Sequence, residues 1–174
     1  DLTAGYGSFA NGGLLVKPMA ILKIEDKNGR VVFENKKVKP ERVLDEKVAF
    51  LINSILSDNQ ARLLTFSPNS YLNLGSRAVA VKTGTTNDLR DNWTLGWTRD
   101  VVVGVWVGNN DNSQMKNVAS GVSGAAPIWR RIMLEVLKGK TDEKFQEPGG
   151  VVALQIDAFS GGTPRDGQPT RSEY

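Results

Sequence analysis

Apolar positions along the chain follow two periods. Val48, Leu51, Ile52, Ile55 and Leu56 recur at helical spacing behind Asp45, a good N-cap, and predict an amphipathic helix with that stripe turned inward. The run Ala78-Val79-Ala80-Val81 has strand length and passes directly into Lys82-Thr83-Gly84-Thr85-Thr86. Strands are predicted over 77–85, 93–98 and 101–109, and links as short as Thr98-Arg99-Asp100 make them an antiparallel meander. Residues 2–10 read as a short helix closed by Gly12-Gly13. Residues 22–34 read as a surface hairpin in which Asn28-Gly29 supplies the positive φ angles of a tight turn. A last helix takes Pro127 in its first turn, points Trp129, Ile132, Met133, Val136 and Leu137 inward, and ends at Gly139. Helices on an antiparallel sheet make an α+β fold. Beyond residue 140 the chain turns polar, so 1–140 is expected to form the domain. Residues 141–174 are then expected to form an extension, with a short strand at 151–156 and a flexible Gly/Pro-rich tail over 160–174.

The densest chemistry is Lys82-Thr83-Gly84. On a strand, Thr83 and Thr85 face one side and Lys82 the other. Two hydroxyls so spaced can hold a carboxylate jointly. Gly84 has no Cβ, so a ligand backbone can lie against the strand as an added antiparallel partner. The Thr85 amide can then face a substrate carbonyl and stabilise an oxyanion, Lys82 adds positive potential, and Thr86 follows as a further contact candidate. The tripeptide alone equally fits a plain edge strand with a solvated lysine and a Gly-Thr turn.

Composition narrows the options. The chain has 174 residues, 40% hydrophobic and 24% charged, which suits one globular domain. It has no cysteine and no histidine, so disulfides, thiol catalysis, a Ser-His-Asp triad and the usual zinc site are excluded within it. Any acyl-transfer base must be a lysine or a carboxylate. No cofactor is implied. The net charge of +3 is dispersed, apart from Lys36, Lys37 and Lys39, and reads as a solvated surface rather than a nucleic-acid or membrane footprint. Asn109–Ser113 has the look of a calcium loop but lacks its closing Glu and central Gly, so it reads as a turn, and no metal site is expected. Trp93, Trp97, Trp106 and Trp129 read as core rather than as a sugar platform, and Asn87, Asp88, Asp91 and Asn92 as the turn after the motif. Ser120-Gly121-Val122-Ser123-Gly124 reads as a flexible link to the last helix.

The chain resembles the C-terminal part of the transpeptidase domain of class A penicillin-binding proteins, the bifunctional peptidoglycan synthases. The resemblance runs over about residues 1–138. It rests on Leu2-Thr3-Ala4-Gly5-Tyr6-Gly7-Ser8-Phe9-Ala10-Asn11-Gly12-Gly13, on Val81-Lys82-Thr83-Gly84-Thr85-Thr86-Asn87-Asp88, and on Asp91-Asn92-Trp93 with Gly96-Trp97-Thr98. It ends in Val102-Val103-Gly104-Val105-Trp106-Val107-Gly108-Asn109 and Ala126-Pro127-Ile128-Trp129. It implies a partial β-lactamase/transpeptidase-like fold and a parent that cross-links peptidoglycan stem peptides through an acyl-serine intermediate. It also implies acylation by β-lactams and a glycosyltransferase in another domain. The parent would sit at the extracytoplasmic face of the cytoplasmic membrane, anchored only through upstream regions.

In that family Ser-x-x-Lys and Ser-x-Asn precede Lys-Thr-Gly. Here Ser113-Gln114-Met115-Lys116 falls downstream, in an Asn/Asp-rich loop that is a poor start for the helix such a pair needs. Ser57-Asp58-Asn59 reads as a helix C-terminus. The nucleophile is therefore expected before Asp1, and this chain alone is expected to be inactive. Separated from the N-terminal half of its domain, it should expose a sheet edge and an apolar face, so that half, a separate chain or a swapped copy is an expected partner. Two alternatives remain: a non-catalytic interaction or sensor module on the same scaffold, or a carboxypeptidase or β-lactamase of the superfamily.

Overall fold

A computed structural model describes residues 1–36, 38–116 and 122–174. Helix α1 (Leu2–Ala10) leads through Gly12 and Gly13 into strand β1 (Leu14–Leu15). A Cβ on Gly13, whose φ is +89°, would collide with the Leu44 carbonyl, so only glycine permits this close approach. Next come β2 (Lys23–Glu25) and β3 (Val31–Glu34), then β4 (Glu41–Arg42), which pairs back on β1. Strands β2 and β3 form the expected hairpin, but only Gly29 takes a positive φ. Asp26 replaces the other left-handed residue, its carboxylate accepting from the Asn28 and Arg30 amides at 2.8 and 2.9 Å.

Helix α2 (Glu46–Ser57) starts where Asp45 accepts from the Lys47 amide at 2.8 Å. Its buried face is shifted from the expected one, with Leu51, Ile52 and Leu56 of the stripe only half-buried. Ala49, Phe50 and Asn53 point inward, while Val48 and Ile55 are exposed. The small Ala49 lets the helix approach closely. Asn53 then bonds both neighbours: its amide donates to the Phe9 carbonyl at 2.8 Å and its oxygen accepts from Trp97 Nε1 at 2.7 Å.

The expected meander is present as β5 (Ala80–Thr85), β6 (Asp91–Trp97) and β7 (Val102–Gly108), in spatial order β5-β6-β7. Pairing of Val81 with Gly96, Thr83 with Thr94 and Thr85 with Asn92 defines one face of the sheet. That face meets α3 (Ala125–Val136), because a Cβ on Gly96 would overlap the Trp129 ring. The opposite face carries Ala80, Lys82 and Gly84 against Trp97, Leu95 and Trp93, and meets α1 through Trp97, whose ring packs on Tyr6 and Phe9. The sheet is thus covered by α3 on one side and by α1 and α2 on the other. The core on the α3 side joins Val79, Val81, Val105, Trp129 and Met133 to Leu72 and Leu74.

Several expectations are corrected. In α3, Trp129, Met133 and Leu137 are buried, but Ile132 and Val136 lie off that stripe and are each 40% exposed. Trp97 and Trp129 are core, Trp93 is half-buried, and Trp106 is exposed, donating from Nε1 to Asp91 at 2.9 Å. The 160–174 tail is not structureless: β9 (Thr170–Glu173) pairs antiparallel with β8 (Leu154–Asp157). Tyr174 packs edge-on against Phe50 and donates to Glu147 at 2.7 Å, which fastens this hairpin to α2. Buried Asp157 closes the loop between them; hydrogen bonds from the Ser160 amide and hydroxyl hold its pKa below the usual carboxylate value. Lys37, Ser120 and Gly121, which fall in the basic cluster and the link to α3, lie outside the described residues.

Candidate active site

Strand β5 is an edge of its sheet, with β6 as its strand partner among the described residues. The register puts Thr83 and Thr85 on one face and Lys82 on the other, as alternation requires. Lys82 is exposed, and its ammonium donates to the Thr83 carbonyl at 2.6 Å. Gly84 differs from the sheet's other close-packed glycines. A Cβ there would make only ordinary contact, 4.0 Å from the Trp93 Cβ, whereas one on Gly104 would strike Thr3. Nothing packed on Gly84 in the described structure requires it to be glycine.

Thr83 and Thr85 open into a cleft of about 580 Å³, within the size range of ligand pockets. Its opposite wall comes from a segment that sequence patterning passed over: Ser67, Asn69, Ser70 and Tyr71. That segment has no regular secondary structure, yet it is built. Leu72 and Leu74, 3% and 8% exposed, anchor it in the core. The Asp58 carboxylate accepts from the Gln60 amide at 2.7 Å, and the Phe66 amide donates to the Arg62 carbonyl at 2.8 Å. The Ser70 amide donates to the Ser67 carbonyl at 2.9 Å, and Asn73 donates from Nδ2 to the Pro68 carbonyl at 3.1 Å. Arg62 donates to the Leu56 carbonyl at the end of α2, and Arg130 of α3 donates to the Asn73 carbonyl. Burial lowers the Arg62 pKa, with Asp58 opposing that shift. Two signals in the sequence could have located the wall. Leu72 and Leu74 mark an anchored stretch, and Ser67-Pro68-Asn69 is a second Ser-x-Asn tripeptide.

Thr86 does not join Thr83 in this cleft. It is tied into the turn after β5, its hydroxyl accepting from the Asp91 amide at 2.8 Å and its own amide donating to the Asp91 carbonyl at 3.0 Å. There it lines a separate hollow with Thr85, Asn87 and Arg90. Asn87–Leu89 form a single 3-10 turn, with positive φ at Asp88 and Leu89. Asn92, expected in the turn, lies instead on β6 and is wholly buried, its oxygen accepting from the Ala125 amide at 2.9 Å at the start of α3.

Ser113 and Lys116 lie in an irregular loop, not on a helix. The Ser113 hydroxyl accepts from Asn109 Nδ2 at 3.0 Å, and its bonds to Asp111 lower that carboxyl's pKa. Ser57 ends α2, as expected. Among the described residues, no group of acidic side chains is placed to hold a metal ion and no helix is long and apolar enough to cross a membrane.

The family model described as the penicillin binding protein transpeptidase domain matches residues 2–134. Penicillin-binding protein 2D of Bacillus subtilis is 31% identical over 169 residues, covering 92% of this chain and 23% of the relative. Penicillin-binding protein 1A of Neisseria meningitidis is 34% identical over 152 residues, covering 85% of this chain and 19% of the relative. The chain therefore spans about a quarter or less of these relatives' lengths. In structure it is similar to penicillin-binding protein 1A from Haemophilus influenzae, with a TM-score of 0.80 at 24% identity, over 99% of this chain and 31% of that one. The PonA1 protein from Mycobacterium tuberculosis in complex with penicillin V gives 0.67 at 24% identity, over 87% and 41%. The match extends across α1, α2, the three-stranded sheet and most of α3, and the α+β architecture is that of penicillin-binding transpeptidase domains. The chain belongs to the penicillin-binding protein transpeptidase family.

Proposed function

We propose that this chain supplies the substrate-binding wall of a peptidoglycan D,D-transpeptidase, in a parent protein whose nucleophilic serine lies outside these residues. The observation that carries the reading is the pair Thr83 and Thr85, facing one cleft from an edge strand. Their hydroxyls hold the terminal carboxylate of a D-Ala-D-Ala stem peptide, and Lys82 supplies positive potential. The Thr85 amide serves the oxyanion as the serine attacks the penultimate carbonyl and expels D-alanine. The acyl-serine then passes to an acceptor amine on a second stem peptide. Gly84 is glycine for the ligand's sake, which accounts for its lack of any packing requirement in the described structure. β-Lactams enter as carboxylate-bearing acylating analogues, a reading supported by the penicillin V complex of the similar PonA1 protein. The parent works on the outer face of the cytoplasmic membrane and carries a glycosyltransferase in another domain. Thr86, tied to Asp91, acts by shaping the end of β5.

The division of labour is testable on the full-length gene product. After labelling with a fluorescent penicillin and proteolysis, the modified serine is expected outside residues 1–174. An adduct on Ser113 would overturn the assignment, and no adduct anywhere would favour a non-catalytic module.

A further inference from the structure

The cleft in front of Thr83 and Thr85 is walled by side chains that carry no charge: Ser67, Asn69, Ser70 and Tyr71 stand opposite the two threonines, and no described residue lining it is ionisable at neutral pH. Ser67 and Asn69 are exposed and Tyr71 is 48% exposed, so their polar atoms and ring are available to a ligand. The wall is held in place rather than loose, because Leu72 and Leu74 fix it to the core and Arg130 fixes it to α3. Resting on the transpeptidase reading above, we infer that residues 67–71 form a specificity wall. The wall reads the uncharged, amide-linked part of a ligand whose carboxylate sits at Thr83 and Thr85. Hydroxyls and a carboxamide match peptide amides in both donor and acceptor sense, and Tyr71 offers a flat face for an apolar substituent. A charged substituent would meet no counter-charge among this wall's side chains and lose part of its hydration there.

The test uses the full-length protein and two β-lactams, benzylpenicillin and its α-carboxybenzyl analogue, which differ by one carboxylate on the side chain. The readout is the ratio of their acylation rate constants, which a general loss of folding or of nucleophile reactivity leaves unmoved. The wild type is expected to prefer the uncharged compound. Asn69→Asp is expected to widen that ratio about tenfold, and Asn69→Lys to narrow it by a similar factor, the scale of one like or opposite charge a few ångströms away in a partly wet site. Tyr71→Lys, on the same wall, is expected to shift the ratio in the direction of Asn69→Lys. If the wild type is acylated but all three variants keep its ratio within about twofold, the wall does not touch the ligand and this inference fails alone. If the wild type is acylated by neither compound, the transpeptidase reading fails and the inference with it.

Discussion

At the scale of single residues, one amide holds much of the arrangement behind β5. Asn53 is 3% exposed and satisfies two partners that the sequence places 44 positions away on either side, the Phe9 carbonyl and the Trp97 indole. Replacing it by leucine keeps the volume but strands the buried Trp97 N–H and leaves the Phe9 carbonyl with only its bond from the Gly12 amide, at a cost of about 1–3 kcal/mol. Asn53→Leu is expected to speed amide hydrogen exchange across α1 and the end of β6, while β8 and β9 keep their protection. Unchanged exchange in α1 would show the bond pair to be incidental. No helical period reveals such a residue, since a buried asparagine reads as part of the polar face. Lys82, Thr83, Gly84 and Thr85 were legible for the opposite reason: strand alternation alone assigns their sides.

At the scale of elements, the meander and the three helices could be read because apolar runs with short polar links leave few other pairings. The facing of α2 could not. Ala49, Phe50 and Asn53 make the docking, while Leu51, Ile52 and Leu56 of its regular stripe are only half-buried and Val48 and Ile55 are exposed. Strand β9 escaped notice because Thr170-Arg171-Ser172-Glu173 has no apolar alternation; it is held by pairing to β8 and by Tyr174 against Phe50. The wall over 67–71 was hidden because turn hydrogen bonds and two leucine anchors hold it without any period. Two glycines on neighbouring strands separate packing from function. Gly96→Ala pushes a methyl into the Trp129 ring and is expected to cost about 1–3 kcal/mol. Gly84→Ala meets only open contact and is expected to leave stability within about 1 kcal/mol. Denaturant midpoints of the two variants compare them directly, and equal losses would mean that Gly84 is a packing glycine after all.

At the scale of the whole molecule, the described structure presents uncovered surfaces besides its cleft. Strand β5 is an edge, the α2 stripe at Val48 and Ile55 is bare, and Leu64 is fully exposed. An apolar helix face beside an open strand edge is what a domain shows where more of its fold is meant to cover it. That agrees with a chain spanning 23% of penicillin-binding protein 2D, and with a cleft that has the Thr83 and Thr85 hydroxyls but no helix-borne serine and lysine pair among its described residues. On the proposed reading, Thr83 and Thr85 are ligand-holding groups of an enzyme whose nucleophile lies outside these residues. The most direct measurement is the rate of acylation of the full-length protein by benzylpenicillin, with Thr83→Val and Thr85→Val beside the wild type. Each loses one hydrogen bond to a carboxylate, and each is expected to slow acylation by about ten- to a hundredfold with the unfolding midpoint unchanged. Wild-type rates in both variants would contradict the account at its centre.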